Sequence, residues 1–95
     1  VDSLVESLRV ARARAAFAAR SPAMALALAE QVLAVDALHE EGQAWRLRSL
    51  VALGRRGEAA TASAEFHARC RRELDSPPGP DLVALERELG ITRGG

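Results

Sequence analysis

The stretch of sequence that decides the fold is VALGRRGEAATA, residues 51–62. An apolar run ends at Gly54, two arginines follow, and an alanine-rich run begins at Ala59. Glycine after a helix adopts the left-handed conformation without a Cβ penalty, and alanine is the strongest helix former. The stretch therefore predicts two helices joined by a short turn, as in an antiparallel helical hairpin. Arg55 and Arg56 are then either the polar elbow of that turn or a contact surface for nucleic acid.

Similar start and stop signals divide the rest of the chain. Ser3 followed by Glu6 is a capping-box pattern, and Ser21-Pro22 joins an N-cap residue to a proline at the first helical position. Asp36 is the predicted cap of a third helix, whose start Gly42 should weaken. The prolines of DSPPGP, residues 75–80, exclude a helix until Pro80 opens the last one. The predicted helices span about 3–20, 22–35, 38–53, 56–74 and 80–89.

Each predicted helix carries an apolar stripe at helical spacing, which is the face expected to enter a core. The stripes are Leu4, Leu8, Ala11, Ala15 and Ala18 in the first helix; Ala25, Leu28, Ala29 and Val32 in the second; Gln43, Leu47, Leu50 and Val51 in the third; Ala59, Ala62, Phe66, Cys70 and Leu74 in the fourth; and Leu82, Leu85 and Leu89 in the fifth.

The pattern predicts an all-α fold of two helical hairpins and a C-terminal capping helix. At a period of 34 residues, which is typical of tetratricopeptide repeats, Ala25 falls on Ala59 and Arg14 on Arg48. Both alanines come shortly after a turn, where two helices approach closely. We therefore expect a tetratricopeptide-like α-solenoid over residues 1–90, followed by a disordered tail over residues 91–95.

Composition limits the function. The 95 residues include 13 arginines, no lysine and 13 acidic residues, so the formal net charge is zero and long-range attraction to a polyanion is weak. The single cysteine, Cys70, cannot form an internal disulfide, and no apolar run approaches the length of a membrane span. These features favour a cytoplasmic protein. Val1 is not an initiator methionine, which suggests a piece of a longer chain.

Few residues suggest chemistry. His67, Cys70 and Glu73 are spaced three apart on one side of the fourth helix, which permits a metal site but equally a small buried cysteine beside an edge histidine. Structural zinc sites use four ligands, and a cysteine nucleophile needs an orienting third group, so we predict no metal, no cofactor and no catalytic residue.

Trp45 lies off the main stripe of its helix. It either packs against the neighbouring hairpin or anchors a partner, as tryptophan and arginine often do. Arg14 and Arg48, at equivalent repeat positions, either line the inner face of a helical superhelix or are solvated surface charges. With Trp45 they are the predicted partner-binding residues.

Residues 39–74 and the following PPGPDLVALEREL resemble the bacterial transcriptional activator domain family. The matching features are His39-Glu40-Glu41, Trp45-Arg46-Leu47, Ala52-Leu53-Gly54-Arg55, Glu58-Ala59, Glu73-Leu74, Pro78, Pro80 and Leu82. Asp75 stands where the family usually has glycine. The resemblance implies a tetratricopeptide-like helical module that usually follows a winged-helix DNA-binding head.

The resemblance therefore implies a non-enzymatic interaction or regulatory module of a bacterial transcriptional regulator, without specific DNA binding of its own. Its partner would be its own DNA-binding head, a sister protomer in a homodimer, or the transcription machinery. The alternative is a tetratricopeptide-type scaffold or oligomerisation segment of a signalling ATPase or another multidomain protein. Residues 1–95 do not separate these two functions, whereas a head or a P-loop domain before Val1 would.

Overall fold

The computed structural model describes residues 2–91, with side chains from Leu4 onward, and this part of the chain is all-helical. Its five helices are α1 (Asp2–Ala18), α2 (Pro22–Val35), α3 (Glu40–Ala52), α4 (Arg56–Leu74) and α5 (Pro80–Leu89). The predicted bounds of α2, α4 and α5 are confirmed. Ser3, the predicted cap of α1, lies inside that helix, and its side chain is outside the described part of the structure.

Left-handed residues end four of the helices. Gly54 and Gly90 have φ of 76° and 71°, as the sequence predicts for glycines after a helix. Arg20 and Asp75 have φ of 63° and 53° without being glycine. Asp75 therefore occupies the conformation that favours glycine, which is the residue usual there in the family it resembles. After α3, Gly54 N donates to Val51 O and Arg55 N to Leu50 O, the paired hydrogen bonds of a Schellman motif.

The start of α3 differs from the prediction. Its N-cap residue is His39, whose Nδ1 accepts a hydrogen bond from the backbone nitrogen of Gly42 at 3.0 Å. Asp36 instead ends α2, and its carboxylate accepts a hydrogen bond from Leu38 N. The sequence suggested Asp36 because aspartate is a preferred cap, but the short turn after α2 uses that residue before α3 begins.

The core is organised around α3, which contacts all four other helices. Gln43 is 1% exposed and donates from Nε2 to Ala62 O at 3.2 Å, so this polar stripe residue ties α3 to α4. The turn before α5 is held to α3 by Glu40, which accepts a hydrogen bond from Gly79 N at 2.9 Å. The main buried cluster consists of Leu26, Leu47, Leu50, Ala59, Ala62, Phe66, Cys70, Leu82, Leu85 and Ile91.

The prediction of which face of α1 is buried is wrong. Leu4 and Leu8 are 75% and 59% exposed, while Val10 and Ala13 are buried. Helix α1 contacts α2 and α3 on one side only, so it buries one of its two apolar stripes. Phe17 continues this stripe and is half-buried, and its ring contacts Trp45 of α3.

Two further corrections concern the C-terminal half. Leu74 is 58% exposed, because α4 extends beyond the core at its C-terminal end. Ile91, predicted as the start of a disordered tail, is 4% exposed and belongs to the core cluster. Its backbone nitrogen donates to Glu86 O, which turns the side chain back over α5 in a Schellman motif. Residues 92–95 of the predicted tail lie outside the described residues.

Gly42 is a packing residue and does not merely weaken the start of α3. A Cβ atom at this position would lie 2.9 Å from Cγ1 of Val32, a residue with no exposed surface. The β-branched side chain of Val32 has little rotamer freedom in a helix, so it cannot move aside easily. Glycine therefore lets α3 approach α2 closely.

Gly42→Ala should destabilise the domain by about 1–3 kcal/mol through overpacking, although alanine is the better helix former. Gly57→Ala is the matched control, because that helical glycine has no atom within 4 Å of the added Cβ. The control should stabilise the domain by about 0.5–1 kcal/mol. Urea unfolding measures both free energies, and stabilisation by Gly42→Ala would contradict the close packing of α2 and α3.

None of the helices between Asp2 and Ile91 combines the length and apolar character needed to cross a bilayer.

Candidate functional site

The structure places two of the three predicted partner-binding residues together. Trp45 of α3 lies with its ring centroid 5.5 Å from that of Phe17, at an interplanar angle of 56°. This contact agrees with the first of the two interpretations of Trp45, which is packing against the neighbouring hairpin. The guanidinium carbon of Arg48 lies 4.4 Å from the Trp45 ring centroid, within the range of a cation–π contact. Phe17, Trp45 and Arg48 therefore form one cluster across α1 and α3.

A groove runs beside this cluster, between α3 and α5. It encloses about 440 Å³, and its lining residues are Glu40, Glu41, Ala44, Trp45, Arg48, Asp81, Leu82 and Leu85. Trp45 and Arg48 are partly exposed, so both present surface to the groove. Because three carboxylates share the lining with Arg48, the groove combines an aromatic–apolar floor with charges of both signs.

Arg14 is exposed on α1, one helical turn before Phe17 and on the same face of that helix. Arg14 is not among the residues that line the groove. We call Trp45, Arg48 and the α3–α5 groove the Trp45 face.

Arg55 and Arg56 both bind within the chain. Arg55 donates from Nε and Nη2 to the two carboxylate oxygens of Glu58, at 2.6 and 2.7 Å. This hydrogen-bonded pair lowers the pKa of Glu58 and raises that of Arg55. Arg56 donates from Nη1 to Leu89 O at the end of α5, where a cation is favoured by the helix dipole. The two arginines therefore form the polar turn between α3 and α4, and Arg56 also ties this turn to the end of α5.

A buried polar cluster joins α4 to α5. Glu86 is 3% exposed, and its Oε2 accepts a hydrogen bond from Ser63 Oγ at 2.6 Å. Its two oxygens lie 2.9 and 3.0 Å from Nε2 of His67. Sequence reasoning missed this cluster. The available signal was that Ser63, His67 and Glu86 each sit within the buried stripe of an otherwise apolar helix face.

The possible ligand set His67, Cys70 and Glu73 is not brought together. His67 turns to Glu86, and Glu73 accepts a hydrogen bond from Arg69 Nη1 at 3.0 Å. Cys70 is 1% exposed, and burial, with the nearby carboxylates of Glu40 and Glu73, raises the pKa of its thiol. Over the described residues 2–91, no group of three or more histidine, cysteine or acidic side chains is arranged to hold a metal ion.

These elements define a small all-helical domain built on one core. The chain belongs to the bacterial transcriptional activator domain family, whose model matches residues 2–90 of its 95 residues. Membership confirms the resemblance of the sequence and indicates a domain of a transcriptional regulator. Comparison with curated proteins and with solved structures finds no match to the chain.

Proposed function

We propose that the chain is a non-enzymatic protein-interaction module of a bacterial transcriptional regulator, joined in the intact protein to a DNA-binding head. Membership of the family supports the regulatory role over that of a scaffold in a signalling ATPase. The module takes its own head, a sister protomer or the transcription machinery as partner and needs no cofactor. That role implies a cytoplasmic place of action.

The Trp45 face is the observation that carries this proposal. Interface hot spots are enriched in tryptophan and arginine, and they lie in pockets that exclude water. Trp45 contacts both Phe17 and Arg48, so a partner side chain entering the groove would meet an aromatic ring held by two neighbouring side chains. Rigid anchors lose little conformational entropy on binding. The carboxylates of Glu41 and Asp81 would orient a partner that also carries basic groups.

The proposed architecture supports the same surface. In a tetratricopeptide-like solenoid, α1, α3 and α5 form the inner layer, and α2 and α4 form the outer layer. The contacts of α3 with both α1 and α5 agree with this arrangement. Arg14, Trp45 and Arg48 then lie on the inner layer, and α5 caps the stack.

The chain alone should not bind DNA in a sequence-dependent manner. A specific reader presents side chains to base edges and makes several phosphate contacts. Arg55 is neutralised by Glu58, and Arg56 is engaged with the end of α5. An anisotropy titration of the chain with labelled duplexes carrying the regulator's target site or scrambled sequence, at about physiological salt, measures this. We expect the same weak affinity for both duplexes, with a dissociation constant of about 10⁻⁴ M or weaker.

Arg55→Ala and Arg56→Ala are the matched variants for that titration. Nanomolar binding to the target duplex, lost in either variant, would overturn the proposal and make the turn a DNA-contact loop.

A further inference from the structure

A second groove lies on the opposite face of α3 from the Trp45 face. It has α3 as its floor and α2 and α4 as its walls, and it encloses about 480 Å³. Leu33 and Phe66 supply apolar lining, and Arg46, Arg69 and Arg72 supply three guanidinium groups. A smaller cleft of about 250 Å³ continues along α4 and shares Arg46, Ala62 and Glu65 with it. We call the two clefts together the Arg46 groove.

Arg46 is incompletely bonded within the described chain. Its Nε is buried and has no hydrogen-bond partner there, and the nearest carboxylate oxygen, Oε2 of Glu30, lies 3.9 Å away. Glu30 is half exposed, so this loose ion pair is screened by solvent. Buried donors are nearly always satisfied, and an exception calls for an explanation. The exposed part of the Arg46 side chain lines the groove, where an acceptor from another molecule could reach the guanidinium.

The charges of the groove are unbalanced at one end. Arg69 is paired with Glu73, whereas Arg72 has no ion pair with the described side chains within 4.0 Å. Glu65 is the one carboxylate in the lining of the larger cleft. A carboxylate of a ligand would therefore be attracted to the space between Arg46 and Arg72, and the apolar lining beside it fits an aliphatic side chain.

From this combination we infer that the Arg46 groove is a binding site for a short acidic peptide segment of a partner protein, with aspartate or glutamate next to leucine-like residues. Arg46 and Arg72 pair with the carboxylates, and Leu33 and Phe66 contact the aliphatic side chains. A nucleic acid fits less well, because its regularly spaced phosphates would also meet Glu65 and Glu58 along the same groove. The site is independent of the Trp45 face.

The test is an NMR titration of the full 95-residue chain with the peptide acetyl-LEDLLD-amide and its neutral counterpart acetyl-LQNLLN-amide. The acidic peptide should shift the amide signals that surround Leu33 and Phe66 and the Nε–H signal of Arg46. The neutral peptide should bind at least about tenfold more weakly, since it cannot form charge-assisted hydrogen bonds with the two guanidinium groups.

Variants on the two faces of α3 complete the test. Arg46→Gln and Arg72→Gln should each weaken binding of the acidic peptide by about tenfold, and Glu65→Gln should strengthen it. Arg48→Gln, on the opposite face of α3, should leave the affinity unchanged. Absence of binding at millimolar peptide, equal binding of the neutral peptide, or loss of binding in Arg48→Gln alone would overturn the inference. Arg72 is exposed, so its variant remains informative even if Arg46→Gln alters folding.

Discussion

A chain that lacks residues 81–95 should show no cooperative thermal unfolding transition. The deletion removes Leu82, Leu85 and Ile91, which are 2–6% exposed in the core. Burial of one such side chain contributes about 1.5–3 kcal/mol, so the three together contribute roughly 5–9 kcal/mol. This loss is comparable to the whole stability of a typical domain, about 5–15 kcal/mol. The deletion also removes the hydrogen-bond acceptors of Arg56 and Ser63 on α5.

The matched control is a chain that ends at Ile91 and keeps all of these contacts. We expect it to have the same melting temperature as the full chain when both are followed by the circular dichroism signal of helices. If the chain that lacks residues 81–95 melted as sharply and at the same temperature as the full chain, α5 would not be part of the core. That result would contradict the burial of Leu82 and Leu85 as a source of stability.

The second large effect is expected from Glu86→Ala. This change leaves Ser63 Oγ and His67 Nε2 without their partner at the interface of α4 and α5. Each of these two orphaned polar groups costs roughly 1–3 kcal/mol, so the free energy of unfolding should fall by about 2–6 kcal/mol. The loss also weakens the attachment of α5 to α4, because the Glu86 carboxylate contacts two side chains of α4.

Two further variants separate this cluster from the general effect of removing a charge. Glu88→Ala, on the exposed face of the same helix, should change stability by less than about 0.5 kcal/mol. Glu86→Gln keeps an oxygen for Ser63 and should cost less than Glu86→Ala. If Glu86→Ala and Glu88→Ala proved equally mild in urea unfolding, the buried cluster would not be a stabilising feature.

Helix bounds were predictable where proline and glycine act locally. Pro22 and Pro80 start α2 and α5, and Gly54 and Gly90 follow α3 and α5, as these residues do in isolated helices. The bounds of α2, α4 and α5 were therefore correct from sequence alone. The cap of α3 was not, because the choice between Asp36 and His39 depends on how the chain turns between two helices.

The buried faces were less predictable where a helix offers two apolar stripes. In alanine-rich α1, Leu4 and Leu8 form one stripe and Val10 and Ala13 the other, and only the neighbouring helices decide between them. The role of Gly42 similarly depends on the position of Val32 in another helix. Which stripe is buried and which glycine is needed for close packing depend on contacts between helices, so the local spacing of residues does not predict them.

Part of the candidate site followed from residue type. The position of Trp45 off the main stripe predicted that it packs against the neighbouring hairpin or anchors a partner, and the structure shows it packed against Phe17 of α1. The position of α5 across the groove could not be predicted, because it depends on the contact of Glu40 with Gly79 and on the cluster around Glu86. The Arg46 groove was missed for the same reason, since its walls come from two helices that are separated in sequence.

The most direct test of the central proposal is a reporter measurement in a bacterial host. The chain is joined to a heterologous DNA-binding head, and transcription from a promoter bearing that head's site is compared with the head alone. We expect a change in transcription that falls by about tenfold in Trp45→Ala and in Arg48→Gln, since a hot-spot residue contributes about 2 kcal/mol or more. Arg87→Gln, on the exposed surface of α5, should retain the full effect. Transcription equal to that of the head alone, or unchanged in folded Arg48→Gln, would contradict docking of the Trp45 face to the transcription machinery or to a sister protomer.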